Sequence, residues 1–101
     1  MLKENVSGGV THVSFEPHSR VNVSNVGDVK SELLALVKGE GGSLELDLSN
    51  LDYIDSSGVG ALLSLLRLCK ERKWTLKLKS PQQGVKDLFN LLQLQSIFTF
   101  V

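Results

Sequence analysis

The chain has a single cysteine, Cys69, so no disulfide can close within it. A lone cysteine in a helical apolar pattern, with no histidine motif beside it, reads as a small buried hydrophobe and not as a catalytic thiol. Long hydrophobic runs are missing as well. No stretch approaches the roughly 20 apolar residues that a membrane span needs. The segment from Met1 to Gly9 is polar and shows none of the apolar run of a signal peptide. A soluble, cytoplasmic protein is the expectation. Neither sign of charge prevails: 11 basic residues face 11 acidic ones. That balance speaks against a general grip on nucleic acid, which needs a basic surface to displace counterions. It speaks equally against a tether to acidic lipid.

Catalytic signatures are also wanting. There is no Gly-x-Ser-x-Gly elbow, and His12 and His18 have no motif around them, which counts against a hydrolase. No glycine loop followed by lysine is present to cradle a phosphate. A phosphoaspartate receiver needs acidic residues early in the chain to hold magnesium. The first apolar-periodic segment here ends in Phe15–Glu16–Pro17, without such a pair. No metal or cofactor is expected, and the chain reads as something other than an enzyme.

What is present is a regular alternation of short patterns. With 101 residues, 42% of them hydrophobic, one domain spanning 1–101 can bury a core unaided. Repeats, linkers and low-complexity tracts are absent. Thr11, Val13 and Phe15 alternate with polar neighbours and predict a strand. After a turn at Pro17–His18–Ser19, Val21 and Val23 alternate with Arg20 and Asn22, which predicts a second strand in a hairpin with the first. Ser24 or Asn25 can cap a helix whose inner face is Val26, Val29, Leu33, Leu36 and Val37. Gly39, Gly41 and Gly42 end it.

Leu44, Leu46 and Leu48 alternate with Ser43, Glu45 and Asp47, a clear strand. A turn at Asn50 and Asp52 follows, with Tyr53–Ile54 returning toward the core. The second helix opens near Asp55 and carries Val59, Leu62, Leu63, Leu66 and Cys69 on one face. It ends in Lys70, Arg72 and Lys73, which suit the negative end of a helix dipole. A strand over Trp74–Lys79 comes next. Ser80–Pro81–Gln82–Gln83 then reads as a helix start, with a serine cap and a glutamine to complete a capping box. Val85, Leu88, Phe89 and Leu92 would form the inner stripe. Ile97, Phe98 and Phe100 suggest a final short helix or strand. Helices alternating with strands imply parallel pairing through crossovers. Parallel strands covered on both faces read as continuous apolar runs, and these strands alternate instead. The expected fold is therefore α/β, with helices mainly on one face of the sheet.

The informative segment is Asp55–Ser56–Ser57–Gly58–Val59–Gly60. A helix N-terminus carries unpaired N–H groups and a partial positive charge, so a hydroxyl there sits where a phosphate can be accommodated. Gly58 and Gly60, without side chains, would let a partner approach the first turn closely. The plainer reading is that Asp55 and Ser56 only cap the helix. The basic residues Arg67, Lys70 and Arg72 read as a solvated helix end.

Beyond these local features, Leu46–Asp47–Leu48–Ser49 followed by Tyr53–Ile54–Asp55–Ser56–Ser57–Gly58–Val59–Gly60–Ala61–Leu62 resembles the signature of the STAS family. That family includes anti-sigma factor antagonists and the cytosolic domains of sulphate transporters. Arg20–Val21–Asn22–Val23, Lys77–Leu78–Lys79–Ser80–Pro81 and Leu91–Leu92–Gln93–Leu94 resemble other family segments, so nearly the whole chain is covered. Where many antagonists carry a glycine and an acidic residue around the second strand, this chain has Ser19 and Asn22. The resemblance implies a mixed sheet of four to five strands. It also implies an antagonist switched by phosphorylation. An anti-sigma factor that is itself a serine kinase would phosphorylate Ser56, or less aptly Ser57. Unphosphorylated, the antagonist would bind that kinase and release a sigma factor, so regulating transcription, and a PP2C-type phosphatase would restore it. The implied partner-binding residues are Asn22, Ser24, Asp55, Ser56, Ser57, Gly58, Val59, Gly60, Ser80 and Pro81. No direct contact with nucleic acid or membrane is implied, and the chain would be a monomer or weak dimer. The alternative within the family is an accessory or scaffold protein, such as the small subunit of a lipid-transport ATPase complex, that uses the same surface without phosphorylation.

Overall fold

In a computed structural model that describes residues 1–101, the elements run β1 (Leu2–Ser7), β2 (Val10–Phe15), β3 (Ser19–Val21), α1 (Val26–Ala35), β4 (Ser43–Asp47), β5 (Leu51–Ile54), α2 (Ser56–Glu71), β6 (Thr75–Lys79) and α3 (Gln83–Leu91). β1, β2, β4 and β6 form one mixed sheet in that order, antiparallel only between β1 and β2. The leucine alternation decides which face is inside. Leu44, Leu46, Leu76 and Leu78 are buried beneath the helices. Each such side chain contributes about 1.5–3 kcal/mol through burial. The opposite face is polar and open, with Glu45 set 3.6 Å from His12 and 3.9 Å from Lys79. The helices contribute Val29 and Leu33 from α1, Val59, Leu62, Leu65 and Cys69 from α2, and Val85 and Phe89 from α3 to one cluster of 20 buried residues. This is the one-sided α/β arrangement that the strand alternation implied.

Several local expectations change. The hairpin partner of β2 is the polar N-terminal segment β1, with Leu2 opposite Phe15 and Ser7 opposite Val10. Its two-residue turn is Gly8–Gly9, both left-handed at φ 59° and 78°, a conformation glycine adopts without strain. An edge strand exposed on both faces has no alternation to reveal it. The strand around Val21 does not return along β2. It pairs in parallel with β5, forming a separate two-stranded ladder, and it ends at Val21, which leaves Val23 78% exposed. Tyr53 lies on β5 but is also exposed, so of the Tyr53–Ile54 pair only Ile54 turns inward.

The start of α3 shifts too. Ser80 does not cap it. Its N–H donates to the carbonyl of Val101, and it takes a left-handed φ of 53°, because the C-terminal segment follows the edge of β6 through a parallel bridge between Leu78 and Phe100. Gln82 holds the cap position without a side-chain cap bond, and Gln83 donates instead to Asp87 one turn on. Leu92, expected inside, lies beyond the helix and is 39% exposed. The closing residues realise the expected end piece as that single bridge. Phe98 and Phe100 each pack edge-on against Phe89, with centroids 5.4 Å apart.

Candidate functional site

The site is assembled around one carboxylate. Asp55 stands in extended conformation as the N-cap of α2, and its Oδ1 accepts from the Gly58 N–H at 3.0 Å and from the Ser57 hydroxyl. Its Oδ2 accepts from the Val23 N–H at 3.1 Å, and its own N–H donates to the Val21 carbonyl at 3.1 Å. Asp55 thereby ties the loop after β3 to the first turn of α2. The Ser57 hydroxyl, followed by the Gly58 N–H, holds the Asp55 carboxyl below the usual carboxylate range. Bonds that stabilise the charged form have this effect. The carboxylate is ionised at neutral pH.

The loop is itself pinned. Asn22 Oδ1 accepts from both the N–H and the hydroxyl of Ser24. Asn25 Oδ1 accepts from the Asn22 N–H at 2.9 Å, and its amide donates to the Arg20 carbonyl at 2.8 Å. These side chains serve the turn, so the helix α1 begins without a side-chain cap bond from Asn25.

The two adjacent serines have different circumstances. Ser57 is half-buried and its hydroxyl is committed to Asp55. Ser56 is exposed at the first position of α2, and no intrachain bond engages its hydroxyl. The loop that carries Asn22 and Ser24 is tied to the preceding residue, Asp55, through the Val23 N–H, and Gly60 is exposed one turn further on. Two expected contact residues lie beneath the surface instead. Val59 is 1% exposed, and Gly58 is buried so tightly that a Cβ there would come within 2.4 Å of Ile54 Cγ1 and 2.9 Å of Val21 Cγ1. The glycine at 58 thus serves the packing of α2 on β3 and β5, not a visitor's approach. Ser80 and Pro81 line a different cleft, with Phe89, Asn90 and Phe100.

Sequence reasoning missed the groove that adjoins Ser56 between β5 and α3. It has a volume of about 570 Å³ and includes Tyr53, Ile54, Leu88 and Leu91. Leu91 is 77% exposed and Tyr53 is 42% exposed. The Arg20 guanidinium lies 4.5 Å from the centre of the Tyr53 ring. Tyr53 in a short strand reads as core, and Leu91, outside the expected inner stripe of Val85, Leu88, Phe89 and Leu92, reads as an ordinary surface leucine, so neither marked a groove. Asp52 sits on the groove's rim. Its carboxylate accepts from Gln82 at 2.9 Å and faces His18 Nδ1 at 3.1 Å, and these bonds, Gln82 first, lower its pKa. No group of three or more His, Cys, Asp or Glu is placed to hold a metal ion. The arrangement offers an unengaged hydroxyl and an anion-friendly helix start, with no general base positioned to activate that hydroxyl from within the chain.

A family model described as "Mlab, STAS domain" matches residues 18–99. No curated protein matches the sequence. Among solved structures, the chain is similar to an anti-sigma-factor antagonist (STAS) domain protein from Planctomyces limnophilus, with a TM-score of 0.85 at 18% identity, covering 98% of this chain and 87% of that one. It is similar to an anti-sigma factor antagonist from Mycobacterium paratuberculosis, with a TM-score of 0.84 at 19% identity, covering 99% and 83%. It is also similar to the phosphorylated form of the Bacillus cell fate determinant SpoIIAA, with a TM-score of 0.68 at 15% identity, covering 100% and 91%.

Proposed function

The chain belongs to the STAS domain family, and from that premise we propose that it is an anti-sigma factor antagonist switched by phosphorylation of Ser56. One observation carries the reading: Ser56 offers an exposed, unengaged hydroxyl at the start of α2, while Ser57 beside it is tied to Asp55. The partner is an anti-sigma factor with serine-kinase activity. That kinase supplies the base that takes the Ser56 proton. The γ-phosphoryl of ATP passes to Ser56 Oγ and ADP leaves. A PP2C-type phosphatase hydrolyses the ester back to serine and inorganic phosphate.

The physical logic is local. Phosphate adds about −1.5 to −2 charges at neutral pH. The helix dipole tolerates that charge in the isolated chain. Within a closed interface the phosphate must be desolvated beside the ionised Asp55. Loss of binding follows without any refolding of the antagonist.

The test is phosphate mapping. The chain is incubated with an anti-sigma factor kinase and ATP, and the label is located by mass spectrometry. Label is expected on Ser56 and absent from Ser56→Ala. Label on Ser57 alone would move the switch to the hydroxyl that Asp55 engages and sink the reading. Ser56→Asp should bind the kinase at least about tenfold more weakly than Ser56→Ala, a difference of about 1.4 kcal/mol. Equal affinities would remove charge as the cause of release.

A second reading has one observation in its favour. The matching family model is named for Mlab and not for an antagonist. On that reading the chain is an accessory STAS subunit of a transport ATPase complex, using the same surface without phosphorylation. Copurification with such an ATPase, unchanged by Ser56→Ala, would favour it over the kinase reading.

A further inference from the structure

Ser56 accounts for a switch but not for what holds a partner in place. The groove between β5 and α3 begins at Ser56 and runs along α3. Its apolar part is Tyr53, Ile54, Val85, Leu88 and Leu91, with Leu91 and Tyr53 standing open to solvent. Its charged lining is of one sign. Asp52, Asp55 and Asp87 line it, and no lysine or arginine does. Two basic side chains beside it are already engaged: Arg20 stacks on the Tyr53 ring and the His18 ring faces Asp52. In a chain of zero net charge, this local excess of carboxylates beside exposed apolar side chains is a selective feature. Apolar contact supplies attraction, and the charge decides which partner is admitted.

We infer that the β5–α3 groove is a docking site for a segment of a partner protein in which an apolar side chain is flanked by lysine or arginine. The inference rests on the antagonist reading for the partner's identity, but not on phosphorylation. The apolar side chain sits against Leu88 and Leu91, and its basic neighbours meet Asp87 on one side and Asp52 and Asp55 on the other. The same charges reject an acidic segment or an anionic lipid surface. Affinity is thereby set in the groove, and release is set at the neighbouring Ser56.

The experiment uses the whole chain labelled with nitrogen-15, and two synthetic nine-residue peptides. One carries a central leucine with lysines on both sides, and the other has glutamates in place of the lysines. The lysine peptide should shift the amide signals of Tyr53, Leu88 and Leu91, and raising salt from about 0.05 to 0.5 M should weaken it by screening. The glutamate peptide should leave those signals unmoved. Leu91→Ser and Asp87→Lys change exposed positions and should each weaken the lysine peptide at least about threefold, consistent with the modest worth of rim charges. Equal binding of both peptides, shifts confined to other surfaces, or no shift at millimolar peptide would overturn the proposal. So would shifts of these amides on raising the concentration of the chain alone, which would make a second copy the occupant. Peptide binding without kinase labelling of Ser56 would remove the switch and keep the groove. Labelling without peptide binding would do the reverse.

Discussion

Gly58 and Gly60 stand two positions apart on α2 and answer an added methyl group in opposite ways. At Gly58 the methyl would press into Ile54 and Val21, within 2.4 Å of the nearer side chain. Gly58→Ala should destabilise the chain by about 1–3 kcal/mol through overpacking. At Gly60 nothing lies within 4 Å of the added carbon, and the backbone is helical. Gly60→Ala should stabilise by about 0.5–1 kcal/mol, the ordinary helix preference of alanine over glycine. Urea unfolding of the two variants checks both signs. Asp55 makes a pH prediction at the same scale. Its pKa lies below the ordinary 3.8 in the folded chain, because Ser57 and Gly58 donate to the carboxylate. Such a group adds stability above its unfolded pKa and loses it as pH falls through the folded value. Removing the carboxylate with Asp55→Ala should therefore lower stability at pH 7 and flatten its decline on acidification below about pH 4. An unchanged acid limb, followed by circular dichroism, would show that Asp55 does not contribute in this way.

Among the elements, protection should follow position in the sheet. β4 lies between β2 and β6, and Leu44 and Leu46 on it are fully buried. β1 is an edge strand held only by β2, with most of its residues exposed. Native-state hydrogen exchange should find the slowest amides on β4 and the fastest strand amides on β1. α2 is the helix on which the site is mounted. Leu65 on it is 0% exposed, so Leu65→Ala should cost about 2–5 kcal/mol by transfer and cavity terms, measured by thermal or urea unfolding. Element by element, the sequence was most legible where burial imposed a period. The alternating leucines of β4 and β6, and the inner stripe of α1, are read directly from spacing, whereas on α2 the fully buried position is Leu65 and the expected Leu63 and Leu66 are only partly buried. It was least legible for β1, whose polar residues alternate with nothing, and for β5, where Leu51 and Ile54 are buried but Asp52 and Tyr53 are not. The start of α3 was misread because the Ser80–Pro81 pair has the composition of a cap. A contact with the far C-terminus, Ser80 N–H to the Val101 carbonyl, places it outside the helix.

For the molecule as a whole, the proposed switch requires that the fold stay still while the surface changes. Phosphorylation of Ser56 should move the amide signals of the loop 22–25 and of the first turn of α2. The resonances of β4 and β6 should hold their places in the same spectrum. Widespread shifts across the sheet would mean that phosphate acts by reshaping the fold, against a mechanism confined to the interface. Charge balance bears on the whole chain as well. Its sequence pI is about 6.7, so added phosphate would take it away from neutrality near physiological pH. The phosphorylated form should be the more soluble of the two at that pH, since net charge opposes self-association.

Composition and periodicity alone were enough to establish an α/β chain with a one-sided core, and the motif at 55–60 was enough to single out the start of α2. Those properties follow from which side chains seek water and which do not, and each is written locally along the chain. Strand partnership is different, because any extended segment can pair with any other until distant contacts choose. Only the folded molecule joined β3 to β5 and β1 to β2. Only it separated a free Ser56 hydroxyl from a committed Ser57, packed Gly58 against Ile54 and Val21, and gathered Asp52, Asp55 and Asp87 from two elements and a cap around one apolar groove.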